Sequence, residues 1–305
     1  MRDGSLDDVR EHRDGELFPG FASIPLYHGP SAAVGWSRAR WDSPLWSAPL
    51  PNPERGVIFA FPRRPYWVRA GERRLAVTPH GMRVLASGDD VPRACPDGGF
   101  DIENAWIQVT SDRLVEDLHR AGIDPEAART LASRASDVPL AAETHALLRA
   151  LIAYLEHEPE RDAGVVERAI SEVVVRAMAG EQERGAPARE VTWRGHVAAV
   201  HRTRMFLAQN YANPVALGHV AQAAGLSRSH LCRVFRALTG QSVHAFRNEL
   251  RLREALWRLP DYRHRVGELG VELGFCSPSH FTTAFRSCFG APPASYDVRS
   301  RLCGS

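Results

Sequence analysis

The chain has 305 residues, about two domains at ~150 residues each, and its 44% hydrophobic and 24% charged residues are ordinary globular composition, which excludes a disordered or fibrous protein. No apolar run approaches the ~18 residues of a membrane span, and the opening MRDGSLDDVREHRDGE is charged where a signal peptide would be apolar, so a cytoplasmic protein with no membrane partner is expected. The net charge of +2 conceals an asymmetry: residues 1–188 hold 22 Arg against 29 acidic residues, residues 189–305 hold 16 Arg against 7, and there is no Lys, so an acidic half is joined to a basic half that suits a polyanion.

Residues 1–16 are expected to be disordered. From Leu17 to about Val109 the chain runs in short apolar or alternating stretches (VIFAF, YWVRA, RLAVT, MRVLAS, AWIQV) separated by Pro, Gly, Asp and Asn, a spacing that favours a small antiparallel barrel or sandwich over 17–135. Five of the seven Trp lie here, Trp36, Trp41, Trp46, Trp67 and Trp106, with Phe59, Phe61, Tyr66 and Phe100. Such rings either form the core of the barrel or line its mouth around a flat apolar or sugar-like ligand, with Arg63, Arg64 or Arg69 orienting an acidic group; the candidate ligand residues are Trp36, Trp41, Trp46, Arg63 and Trp67. A metal-dependent enzyme would need clustered His and acidic ligands. The region offers only isolated His28 and His80, and the chain has no Gly-rich phosphate loop or nucleophile elbow, so no metal, cofactor or catalytic residue is expected. The five cysteines, at 95, 232, 276, 288 and 303, are odd in number and lack CxxC spacing, which argues for reduced thiols. Cys95 reads as an inert packed one.

A break near Ser136–Pro139 precedes two helical patterns within 140–180, one striped by Leu147, Leu148, Leu151 and Leu155, the other by Val166, Ile170, Val173, Val174 and Ala177. Their apolar faces either cover the barrel or join a second subunit. The charged, Gly- and Pro-containing stretch Glu181–Arg189 then marks a boundary near Pro187, dividing a first domain, 17–188, from a basic domain, 189–305.

The basic domain reads as all helix, and two of its segments share one grammar. In 215–240 a short helix over Val215–Ala224 meets Gly225, a turn residue able to take φ > 0, and Ser227 is placed to cap a second helix. That helix has a buried stripe of Leu231, Val234, Phe235 and Leu238 and an outer face of Arg228, Ser229, His230, Cys232, Arg233 and Arg236, the surface of a helix in a major groove. In 266–289 Gly274 is the turn, Ser277 the cap and Pro278 the first helical residue, with Phe281, Ala284, Phe285 and Phe289 as the stripe. Ala221 and Gly270 each stand four residues before the turn glycine and let the helices approach closely. Between the units Val243–Leu259 reads as one amphipathic helix of about 25 Å, a rigid spacer between readers of successive DNA turns roughly 34 Å apart.

LGFCSPSHFTTAFRSCFGAPPASY closely resembles the signature of AraC/XylS-type transcription regulators, and SRSHLCRVFRALTGQSVHAFRNELRLREAL resembles the preceding part of the same domain, over about 195–299. The resemblance implies a mixed fold: an all-β cupin-like barrel and two packed helices, then an all-α domain with two helix-turn-helix units joined by a long helix. It implies double-stranded DNA as partner, a homodimer, a small-molecule effector in the barrel and, for an activator, RNA polymerase. Carried over by position, base contacts fall on Ser229, Cys232 and Arg233 in the first unit and on Ser279, Thr282 and Thr283 in the second. Arg233 leads, since a guanidinium can take guanine O6 and N7 together. Arg228, Arg236, Arg247 and Arg286 are assigned to phosphates, and His230 and His280 to packing or capping. Three departures from the family pattern, Thr283 and Asp297 where Arg is usual and Gly270 where Ala is usual, imply a weaker second unit. The rival readings are an effector-independent regulator whose N-terminal domain only dimerises and, remotely, a metal-dependent cupin enzyme fused to a DNA-binding domain.

Overall fold

All five of the named apolar runs become strands. In the computed structural model, which describes residues 21–39, 56–70, 73–86, 101–124, 138–182 and 191–303, the N-terminal strands are β1 (Phe21–His28), β2 (Ala32–Ala39), β3 (Val57–Pro62), β4 (Tyr66–Ala70), β5 (Arg73–Val77), β6 (Gly81–Ala86), β7 (Ile102–Val109) and the short β8 (Val138–Pro139). Six of them form an antiparallel sheet in the order β1-β2-β7-β3-β6-β8, and β4 with β5 makes a separate two-stranded ribbon. Register follows side-chain alternation. Val34, Ile107, Phe59 and Val84 lie opposite one another across four strands, all nearly or fully buried on one face. On the other face Ala39 and Ile102 pack with Tyr66, Val68 and Val77 of the ribbon.

The first face carries the helices of this unit. A helix that the sequence pattern did not announce, α1 (Ser111–Arg120), follows β7 directly, with the hydroxyl of Thr110 accepting from the Arg113 N–H. Of the two expected helices, α2 (Ala142–His157) falls largely in the other unit and α3 (Ala163–Gln182) belongs to this one. Arg113 ties α1 to α3 and to the sheet: it donates to Asp117 Oδ2 at 2.9 Å, Glu167 Oε2 at 2.6 Å, Ser171 Oγ at 2.6 Å and Ser31 Oγ at 3.0 Å. The Tyr27 hydroxyl donates to the same Glu167 at 2.6 Å, and burial beside that carboxylate pushes Tyr27 up to about 12.

The structure divides the chain into two compact units, and residues 140–154 do not fall where the sequence placed them. They cluster with 185–305, while 1–139 and 155–184 form the other unit. The reason is that α2 has more than one apolar face. Leu147, Leu148, Leu151 and Leu155 are buried as expected, but so are Ala146, Ala150 and Ala153. Ala146 joins a core with Leu252, Leu256, Leu269 and Phe281, and Ala150 and Ala153 pack with Val298. Arg253, 1% exposed, donates to the Leu140 carbonyl and to Glu249, and the Trp257 indole donates to His145 Nε2 at 3.2 Å. The expected boundary at Pro187 lies outside the described residues, as do residues 1–16 and Cys95.

The rest of this unit is helical: α4 (Val191–Asn210), α5 (Leu217–Ala224), α6 (Arg228–Thr239), α7 (Val243–Arg258), α8 (Val266–Glu272), α9 (Pro278–Phe289) and α10 (Ser300–Cys303). It has two cores, and α7 belongs to both. Val243, Phe246 and Leu250 complete the first, with Val220, Leu231 and Phe235. Leu252, Ala255 and Leu256 complete the second, with Leu269, Phe281 and Phe285. The spacer is therefore a shared structural member, about 24 Å long at 1.5 Å per residue. Among the described residues no helix is long and apolar enough to cross a membrane, and no group of three His, Cys, Asp or Glu side chains is placed to hold a metal ion.

Candidate functional site

The exposed faces of α6 and α9 are set by their N-terminal turns. Gly225 ends α5 at φ +71°, a left-handed conformation that side chains other than glycine enter at a cost. Ser227 then caps α6, its Oγ accepting the His230 N–H. With Leu231, Val234 and Phe235 buried, the opposite face presents Arg228, Ser229, Cys232, Arg233 and Arg236, all exposed. None of these three Arg has an ion-pair partner, so among the described residues α6 carries a strip of unneutralised positive charge. Arg228 lies over the first turn of α5, where a Cβ on Gly218 would sit 2.9 Å from Nη2. Ala216, the N-cap, supplies no side-chain acceptor there, so the Arg228 cation stands at the positive end of α5.

The second pair repeats the backbone and changes the surface. Gly274 takes φ +84° and Ser277 Oγ accepts the His280 N–H at 3.1 Å, with Pro278 at the first helical position. Phe281, Phe285 and Phe289 are buried and Ala284 is half-buried. Ser279, Thr283 and Arg286 are exposed and Thr282 half-buried, so the outer face holds one cation where α6 holds three. The half-buried His230 meets His196 edge-on at 5.1 Å, and the exposed His280 meets Phe275 at 5.5 Å. Asp297 Oδ1 accepts the Arg299 N–H at 3.0 Å, a local turn bond.

Arg247 is placed differently from the other phosphate candidates. Its guanidinium donates to the carbonyls of Tyr211, Asn213 and Val215, bracing the segment between α4 and α5. Arg251 donates to the Tyr211 carbonyl at 2.7 Å and lies over the Phe275 ring. Burial lowers Arg247, and burial together with the neighbouring Arg247 lowers Arg251 to about 10, so both stay cationic at neutral pH. They line a hollow of about 530 Å³ with His244, Gly274, Cys276 and His280. Burial also pushes the Cys288 thiol up to about 12, while Cys232 and Cys276 are exposed.

Of the expected effector residues, the described ones, Trp36, Arg63 and Trp67, lie on different elements. Trp36 is on the helix-facing side of the sheet, its indole N–H donating to Glu156 Oε1 at 3.0 Å. Trp67 alternates with the buried Tyr66 and Val68 on the ribbon and lies under Arg74 at 5.0 Å. The half-buried Arg63 sits in the turn after β3, its backbone N–H bonded to the Glu103 carbonyl. Trp41 and Trp46 lie outside the described residues. The sequence reading passed over Arg83 on β6, which is 2% exposed with Nε and Nη2 lacking any acceptor.

A helix-turn-helix domain family matches residues 220–299, which takes in α6 and α9. Similar curated proteins include the HTH-type transcriptional regulator ArgR of Pseudomonas aeruginosa, 27% identical over 52% of this chain and 48% of that protein. Another is the multiple antibiotic resistance protein MarA of Salmonella typhimurium, 26% identical over 32% of this chain and 78% of that one. The chain thus spans about half the length of the ArgR relative. Among solved structures, an AraC-type transcriptional regulator from Chromobacterium violaceum is 25% identical, with 36% of this chain and 94% of that one covered and a TM-score of 0.30.

Proposed function

The C-terminal domain belongs to the AraC/XylS-type transcription regulators, and from that premise we propose that the chain is a one-component, effector-controlled regulator that reads two adjacent major-groove segments of double-stranded DNA. The observation that carries this is the exposed face of α6, three unpaired Arg on a Ser-capped helix that follows a left-handed glycine. In this reading α5–α6 and α8–α9 are two helix-turn-helix units. Ser229, Cys232 and Arg233 reach base edges in the first, and Ser279, Thr282 and Thr283 in the second. Arg228, Arg236 and Arg286 hold phosphates. Arg247, engaged by three carbonyls, acts on the backbone of DNA chiefly by keeping the start of α5 in place.

The sheet-rich unit is proposed as a cupin-like effector and dimerisation domain, on the resemblance alone, with RNA polymerase as the partner of an activator. An effector changes DNA affinity only by binding two conformations of the protein unequally. The test is selection of binding sites from random duplex DNA by the full-length protein at fixed salt. An enriched motif with two half-sites about one helical turn apart supports paired readers. Binding without any enriched motif, with or without added small molecules, overturns the reading.

A further inference from the structure

Arg113 and Arg83 make opposite use of the same side chain. Arg113 is 17% exposed, and its guanidinium donates to Asp117, Glu167, Ser31 and Ser171. Arg83 is 2% exposed, and Nε and Nη2 meet no acceptor. A buried guanidinium left unmatched is strongly unfavourable. The position calls for an anion that the described residues do not supply. The two unmatched atoms also specify its shape. Nε–H and one Nη2–H lie parallel along one edge of the guanidinium, the fork that takes both oxygens of a carboxylate.

Strand register shows what surrounds that fork. Arg83 is opposite Ala60, Ala60 is opposite Trp106, and Trp106 is opposite Gly35, so all four share one face of the sheet. Arg83 and Trp106 stand two strands apart, about 10 Å, with only the Ala60 methyl between them. The Trp106 ring leans the other way, over Gly35, where a Cβ would lie 2.6 Å from Cζ2. Ile58 and Leu85, the next pair on this face, supply an apolar flank. Trp106 Nε1 and Asn104 Oδ1, two residues apart on β7, are also buried without a partner. Three polar groups on one face of one sheet thus lack partners, where buried polar groups are normally matched.

We propose that this face binds a small organic carboxylate, its two oxygens on Nε and Nη2 of Arg83 and its apolar body over Ala60 beside the Trp106 ring. Asn104 and the indole N–H are then available to further polar groups of the ligand. The proposal rests on the effector reading of the N-terminal unit and gives it a chemical class.

The test is thermal melting of the full-length protein with benzoate, hexanoate and their uncharged amides, benzamide and hexanamide. At least one acid should raise Tm by about 2 °C or more through preferential binding to the native state, and its amide should not. Arg83→Met keeps the apolar stem and removes the cation. It should melt at or above wild type without ligand, because it abolishes an unmatched buried charge, and should not respond to the acids. Arg83→Lys, cationic but without the fork, should respond less than wild type. The proposal is overturned if neither acid shifts Tm, if acids and amides act alike, or if free Arg83→Met melts well below wild type, which would make Arg83 a structural member. The same preparations are tested on the selected DNA site. DNA binding without an acid response rejects the carboxylate site and keeps the regulator; an acid response without DNA binding does the reverse.

Discussion

The α5–α6 and α8–α9 pairs are built with the same backbone devices and carry different surfaces. Each has a glycine at positive φ, a serine cap and a buried apolar stripe. The first pair tolerates space at its turn, since a Cβ on Gly225 would meet only Arg202 Nη2, at 3.7 Å. At Gly274 a Cβ would strike the Ala212 carbonyl. The helix approach differs too: at Gly270 a Cβ would stand 2.8 Å from Phe281. The first pair therefore has its distinctive chemistry on the outside, in Arg228, Arg233 and Arg236, and the second has its distinctive constraint on the inside. Outer charge and inner packing constraint are divided unequally between two similar helix pairs.

Five substitutions and one labelling experiment would break or sharpen that contrast. Gly274→Ala should be the most damaging, by about 3 kcal/mol or more, since it adds left-handed strain to a clash with backbone, whereas Gly225→Ala should lose about 1 kcal/mol; urea unfolding of the two variants gives the ranking directly. Equal losses would mean that the second turn is no tighter than the first. Gly270→Ala comes next. Helix propensity alone promises a gain of up to ~1 kcal/mol, but the Phe281 contact should turn it into a loss of about 1–3 kcal/mol, so a stabilised variant would show that the two helices can part without cost.

On the DNA side, Arg233→Ala should weaken specific binding by about 1–3 kcal/mol and relax preference at one base pair. Thr283→Ala should cost less than about 1 kcal/mol. Competition binding against the selected site separates them, and wild-type affinity for Arg233→Ala would mean that α6 lies elsewhere on the duplex. The smallest contrast concerns the thiols. Exposed Cys232 and Cys276 should react readily with a disulfide reagent at pH 8, while Cys288, with its thiol held near 12, should be slow. Bound DNA should protect Cys232. Mass spectrometry of peptides after timed labelling reads all three sites.

Gly225, Ser227, Gly274, Ser277 and the two buried stripes were legible in the sequence because each depends on neighbours within one or two turns. The same locality made β3 to β7 legible from alternation. Arg83 was not, since in Met82–Arg83–Val84–Leu85 an Arg between apolar residues has the pattern of a solvent-facing position, and only pairing with β3, flanked by β8, shows that both faces of β6 are buried. Trp36 and Trp67 were chosen as rings, yet their placement depends on which face of which strand they occupy. The bracing role of Arg247 was not legible either, because its carbonyl partners lie more than 30 residues earlier in the chain.

By itself, the sequence determined the split between an acidic sheet-rich half and a basic helical half, the two glycine-turn helix pairs and the faces that α6 and α9 expose. Charge, φ preference and periodicity are properties of short stretches of chain. Tertiary structure alone decided that 140–154 packs with the helical unit, that Phe281 needs a glycine at 270, and that Arg83 is buried with its fork unmatched. Each of these depends on contacts between residues distant in sequence, where burial and register, rather than local preference, set the energy.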